Sequence, residues 1–141
     1  MVRILFVCVE NSARSQMAEG FARIHGAGRV EAGSAGSRPS GHLDSRAVAA
    51  MRERGYNLTA HRSKGLTEIG STPWDWVVTL GCGDACPWVP AEHREDWPLP
   101  DPGDLSPPAF DRLCDDIEGR VRDLLARLGP ISADAGPGDC S

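Results

Sequence analysis

The sequence predicts an α/β fold on a four-stranded parallel sheet, and three observations carry that reading. The runs at 2–8 and 75–80 are nearly continuous in apolar residues, as expected of strands buried on both faces. Segments of helical spacing alternate with the strand-like ones, the order that gives a parallel sheet. Cys8 and Cys82 both fall just past the ends of such strands, at the rim where open α/β sheets bind ligands.

The elements follow in order. After the first strand, residues 15–26 place Met17, Ala18, Phe21, Ala22 and Ile24 on one helical side, and Gly26 is a stop signal. Residues 29–34 fit a short second strand, followed by a loop rich in glycine. Asp44 or Ser45 caps a second helix in which Leu43, Ala47, Ala50 and Met51 recur at helical spacing and which stops at Gly55. A short helical turn is expected near Thr67–Ile69. The third strand runs into Gly81-Cys82-Gly83-Asp84-Ala85-Cys86-Pro87, whose glycines argue for a mobile loop. A fourth strand at 95–99 is stopped by Pro100 and Pro102. The last helix has the clearest stripe, Phe110, Leu113, Ile117, Val121, Leu124 and Leu128, with Cys114 on the same face. Pro107-Pro108 precede it and Gly129-Pro130 follow. Residues 1–128 therefore read as one domain and 129–141 as a disordered tail.

The chain has 141 residues, enough for a real core, with a net charge of −5. That charge argues against general nucleic-acid binding. No apolar run reaches the roughly 20 residues of a membrane span, and the N-terminal run is too short for a signal peptide. A cytoplasmic protein is expected. Its five cysteines then point to catalysis, redox chemistry, metal binding or plain burial rather than a disulfide framework.

The informative stretch is Cys8-Val9-Glu10-Asn11-Ser12-Ala13-Arg14-Ser15, between the first strand and the first helix. Backbone N–H groups of such a loop can converge on an anion, and the helix N-terminus adds partial positive charge. Arg14 offers a planar fork of donors to an oxyanion. Ser15 or Ser12 can donate a hydroxyl to the Cys8 sulfur, and Glu10 has to point away. The bare pattern is weak, because Cys114 and Arg120 repeat it. That second copy lies inside a helix with three acids between its ends, where no loop can wrap an anion.

Cys8-x-x-Asn11-x-x-Arg14-Ser15-Gln16-Met17-Ala18-Glu19-Gly20, followed by Ser34-Ala35-Gly36, resembles the low-molecular-weight phosphatase superfamily. Within it, Val77-Val78-Thr79-Leu80, the pair Cys82 and Cys86, Asp96-Trp97 and Asp101-Pro102 resemble arsenate reductases of the thiol-disulfide type. The resemblance implies a small three-layer sandwich and arsenate reduction for detoxification, without metal or cofactor. It makes Cys8 the nucleophile on arsenate or a phosphate-like oxyanion, Arg14 and the loop amides the oxyanion site, and Asp101 the general acid, with Asp104 as the alternative. Cys82 then attacks Cys8 as arsenite leaves, and Cys86 attacks Cys82. The C-x3-C spacing is shorter than in thioredoxin-coupled members, so thioredoxin or a glutaredoxin and low-molecular-weight thiol system both stand as reductants. The pair could instead be idle, or bind zinc with His93. Asn11, Glu19 and Ser34 match residues that surround potassium in some relatives. Lys64, after Ser63, stands where those relatives carry an acid, so its ammonium is expected to replace the ion and pair with Glu19. The four histidines are expected at surfaces or turns, Cys114 is expected to be buried, and Trp88 or Trp97 could line a cleft. Two rivals are a phosphotyrosine or small-phosphoester phosphatase and a non-catalytic oxyanion or arsenic sensor. Residual phosphatase activity is compatible with the reductase reading.

Overall fold

A computed structural model of the chain describes residues 1–69, 73–81 and 89–128. Four strands, β1 (Val2–Cys8), β2 (Val30–Gly36), β3 (Trp74–Leu80) and β4 (Ala91–Trp97), form one sheet in the order β2-β1-β3-β4. All three pairings are parallel, with Cys8 opposite Gly36 and Val7 opposite Thr79. The chain leaves β1 toward β2 on one side and returns to β3 on the other. The carboxyl end of β1 is thus the topological switch point, where a crevice opens between diverging connections.

Three helices, α1 (Arg14–His25), α2 (Ser45–Glu53) and α3 (Pro107–Leu128), share one hydrophobic core on one face of the sheet. Ile4 and Phe6 of β1 point into that core, among Met17 and Phe21 of α1 and Leu113 and Ile117 of α3. The alternate residues Leu5 and Val7 point to the opposite face, with Val77, Trp74 and Val89 and the 3-10 turn Leu66–Glu68 nearby. This alternation explains why β1 is apolar at every position.

The boundaries refine the sequence reading. β2 continues to Gly36 because Ser34, Ala35 and Gly36 pair with Phe6, Val7 and Cys8. The glycine there is required: a Cβ on Gly36 would lie 2.5 Å from the Val9 carbonyl oxygen. β4 starts at Ala91, not at 95, and its first six residues are Ala-Glu-His-Arg-Glu-Asp. It is the edge strand, and charge there blocks pairing with another chain while hiding the strand from an apolar pattern. Ile24 is 38% exposed, so it sits off the buried stripe of α1. Leu43 precedes α2, which Asp44 caps by accepting the Arg46 amide at 2.8 Å. A 3-10 turn at Leu58–Ala60, with Leu58 fully buried, had no sequence signal. The Cys82–Cys86 loop, Trp88, Cys140 and the 129–141 tail lie outside the described residues.

Candidate active site

Cys8 ends β1 with 2% of its surface exposed, at the switch point of the sheet. The loop after it is shaped by where its carbonyls go. The Cys8 carbonyl accepts from the Ser37 amide, Val9 from Arg38, Glu10 from Ser40, Ser12 from Asp44 and Ala13 from Met17, all at 2.8–3.1 Å. The Asn11 carbonyl accepts from Gln16 Nε2 at 3.2 Å. A trans peptide points its C=O and N–H in opposite directions. With every carbonyl from Cys8 to Ala13 pulled outward, the intervening amides face the hollow. The cap of α1 is Ala13, which has no side chain to occupy the helix N-terminus, and no acid stands in the first turn. The result is a nest of backbone donors suited to a tetrahedral oxyanion.

Side chains complete it. Arg14 opens α1 and is 7% exposed, with Nη1 3.4 Å from the Leu99 carbonyl oxygen. Gly81 makes room for it. Its φ is +73°, and a Cβ there would come within 2.4 Å of Arg14 Nη1 and 2.2 Å of the Leu99 oxygen. Ser15 Oγ lies 2.9 Å from Cys8 Sγ. Asn11 Nδ2 donates to that same oxygen at 2.8 Å, which leaves the Ser15 hydroxyl proton for the sulfur.

Asn11 is held at φ 50°, a left-handed conformation that asparagine tolerates. Its Oδ1 accepts from the Lys64 amide at 2.9 Å and from Gln16 Nε2 at 2.8 Å, which fixes its amide orientation. Gln16 Oε1 can only accept, so His61 Nδ1, 2.9 Å away, carries the proton, and His61 Nε2 accepts from the Tyr56 hydroxyl at 2.7 Å. A continuous hydrogen-bonded chain therefore runs Tyr56, His61, Gln16, Asn11, Ser15, Cys8. Burial pushes the His61 pKa down. The Glu19 carboxylate opposes that shift, and Arg23 and Lys64 reinforce it. His61 is thus a half-buried structural partner at the end of the Leu58–Ala60 turn, and not the exposed residue expected from sequence, which carried no signal for its contacts.

Glu19 is buried and fully engaged. Ser34 donates to Oε1 at 2.6 Å, and Arg23 pairs with Oε2 at 2.7 Å. Lys64 Nζ is 3.9 Å from Glu19 Oε1 and 3.4 Å from Ser34 Oγ. The expected Lys64–Glu19 pairing is present, although Arg23 is the closer cation. Burial lowers the Lys64 pKa against the pull of Glu19. Ser63 binds the loop from behind, donating to the Glu10 carbonyl at 2.9 Å.

The hollow above Cys8 has a volume of about 240 Å3 and is lined by the loop, Arg14, Asp101 and Pro102. Asp101 accepts the Gly103 amide at 2.9 Å and faces the same space as Cys8; Asp104 does not line it. Glu10 is exposed, and its residue contributes to the lining of the hollow. Arg38 also lines the hollow and was missed, because nothing in a loop sequence says which cation turns inward. Trp97, 3% exposed, does not line the Cys8 hollow but does line the larger trough between β4 and α3. This open trough of about 610 Å3 is lined mainly by acids and arginines, with Trp97 and Gly119, and among the described residues holds no cysteine, serine or threonine. In α3, Cys114 is buried against Met17, Sγ to Sδ 3.4 Å, and burial pushes its thiol up to about 11. The second Cys–Arg pattern is therefore inert. His93 stacks on Trp76 at 4.8 Å.

Residues 3–131 match the family model described as low molecular weight phosphotyrosine protein phosphatase. The chain belongs to that family. Among curated members, it is 37% identical over 131 residues to the glutaredoxin arsenate reductase of Synechocystis sp., covering 91% of this chain and 99% of the relative. A solved structure described as an arsenate reductase in the phosphate binding state superposes with a TM-score of 0.82 at 35% identity, covering 92% of this chain and all of that one. The Corynebacterium glutamicum thioredoxin-dependent arsenate reductase gives a TM-score of 0.75 at 33% identity, covering 91% of this chain and 62% of that chain. The phosphatase-like α/β fold expected from the sequence is the fold of this family member.

Proposed function

We propose that this family member reduces arsenate to arsenite through a thiol-disulfide relay that starts at Cys8. The observation that carries the reading is the Cys8 loop, a nest of inward amides with a sulfur at its floor and Arg14 beside it. Arsenate reductases at 34–38% identity along most of the chain favour reduction over phosphatase chemistry. The Cys8 thiolate attacks arsenic, and Asp101 protonates the departing oxygen. Arg14 and the loop amides stabilise the charge on the remaining oxygens. Cys82 then attacks the Cys8 sulfur. An S–S bond forms, the Cys8–As bond breaks, and its electron pair stays on arsenic, which leaves as arsenite. Cys86 displaces Cys8 from that bond and moves the disulfide to the 82–86 loop. Gly81, the last described residue before Cys82, abuts Arg14.

A thiol system, thioredoxin or a glutaredoxin with a small thiol, restores the dithiol. That fits a reducing cytoplasm. Asn11, Gln16 and Ser63 hold the loop, while Lys64 fills the place of a cation near Glu19. Phosphate shares the shape and charge of arsenate, so weak phosphatase activity accompanies the main reaction.

The test is arsenite formation and thiol loss in wild type and the Cys8→Ser, Cys82→Ser and Cys86→Ser variants. Each is assayed without reductant and with thioredoxin or glutaredoxin systems. Cys8→Ser is expected to abolish arsenite formation, and Cys82→Ser to stop it after binding. Full reduction by Cys82→Ser refutes the relay. Turnover of a phosphoester without any reductant, and none of arsenate, establishes a phosphatase. Stoichiometric binding without turnover establishes a sensor.

A further inference from the structure

Arg14 and Arg38 sit at different depths of the Cys8 hollow. Arg14 is buried at its floor, whereas Arg38 is exposed at its mouth. The loop bearing Arg38 is fastened to the oxyanion loop. The Ser37, Arg38 and Ser40 amides donate to the Cys8, Val9 and Glu10 carbonyls at 3.1, 2.8 and 3.1 Å. The start of its side chain is therefore fixed beside the opening. Among the described residues the Arg38 guanidinium has no hydrogen bond or ion pair. Arg46, close to Asp101, is already committed to Asp44 and to the Pro102 carbonyl. Among the described residues that line the hollow, Arg14 and Arg38 are the cations, and with Arg14 buried Arg38 is the group that can admit an anion at the mouth. Four water-sized oxygens at about 30 Å3 each fill roughly half of the 240 Å3 hollow, leaving room for a second molecule above a floor-bound oxyanion.

We propose that Arg38 makes this mouth a docking point for the carboxylate of a small anionic thiol that exchanges with Cys8. The inference rests on the thiol-disulfide reading above and supplies the chemical class of its small-molecule partner. In the exchange, the thiolate of the incoming partner attacks the Cys8 sulfur of the Cys8–Cys82 disulfide; a bond from the partner to Cys8 forms, the Cys8–Cys82 bond breaks, and Cys82 leaves as a thiolate with the electron pair. The reaction is reversible, so a disulfide that approaches the Cys8 thiolate passes the same mouth.

The experiment uses the full chain with Cys82→Ser, Cys86→Ser and Cys140→Ser, leaving Cys8 as the accessible thiol. Second-order rates are measured with 5,5′-dithiobis(2-nitrobenzoate), which carries carboxylates, and with neutral 2,2′-dipyridyl disulfide. The readout is the ratio of the two rates, which is independent of any arsenate turnover. Arg38→Gln is expected to lower the anionic-to-neutral ratio by roughly three- to fivefold, in the range of one exposed ion pair. Arg38→Lys is expected to restore part of it, Arg38→Glu to lower it further, and added salt to shrink the wild-type preference. Protection of Cys8 by inorganic phosphate is expected to change by less than the ratio does. An unchanged ratio in Arg38→Gln overturns the proposal. A loss of phosphate protection equal to the fall in the ratio also overturns it, because Arg38 then serves the oxyanion alone. Failure of the reductase reading shows separately, as absence of arsenite formation by wild type.

Discussion

At the scale of single residues, the site depends on who occupies each lone pair. Asn11 shows this: its carbonyl side is filled by the Lys64 amide and Gln16, so its amide side must donate to Ser15, which then turns its proton to Cys8. Lys64 is the only lysine in the chain and holds this corner twice, through its amide and through its ammonium near Glu19 and Ser34. A tethered ammonium there leaves no need for a free cation. Wild-type turnover is therefore expected to be equal in potassium and sodium. Lys64→Ala is expected to lose activity and to recover part of it in potassium, as read from initial rates at matched ionic strength. A potassium requirement in wild type would sink this role for Lys64.

At the scale of elements, helix starts do two jobs. The start of α1 is left without a side-chain cap, which keeps its amides open to a ligand. The start of α2 is fully capped: Asp44 accepts the Arg46 amide and its guanidinium, while the Asp44 amide donates to the Ser12 carbonyl. Burial alone would raise the Asp44 pKa, but the hydrogen bonds from Arg46 hold its carboxyl below the ordinary range. Asp44→Ala removes the cap and keeps the backbone bond to Ser12. It is expected to cost about 1 kcal/mol of stability. The check is a lower urea midpoint at unchanged slope.

For the whole molecule, the hydrogen-bonded chain from Tyr56 to Cys8 ties stability to pH. Folding lowers the His61 pKa, chiefly through burial, with Glu19 opposing and Arg23 and Lys64 assisting. In the unfolded chain a histidine titrates near 6.5. As pH falls through that value the unfolded state takes up a proton that the folded state resists, so stability drops; above it the effect vanishes. The limit for one such proton is about 1.4 kcal/mol per pH unit. Urea titrations from pH 7.5 to 5.5 are expected to show a steeper loss in wild type than in His61→Gln. Equal slopes in the two proteins would contradict the assignment.

The sequence by itself determined the parallel α/β fold, Cys8 at the end of β1, and the loop and helix that follow, because burial on both faces and helical periodicity are local patterns. It also set the Cys8–Arg14 pair apart from its copy at Cys114–Arg120, since a helix interior cannot wrap an anion. The edge strand β4 was misplaced by four residues because an edge needs charge more than apolar alternation. Only the tertiary structure decided that His61 supports Gln16 behind Asn11 and that Arg38 faces the hollow, whereas Arg23, four residues after Glu19 on α1, is a local pairing that helical spacing alone could have shown. The physical reason is range. The contacts of His61 and Arg38 join groups whose meeting is set by crossovers of the sheet, and no spacing along the chain encodes which of them will be brought to the Cys8 loop.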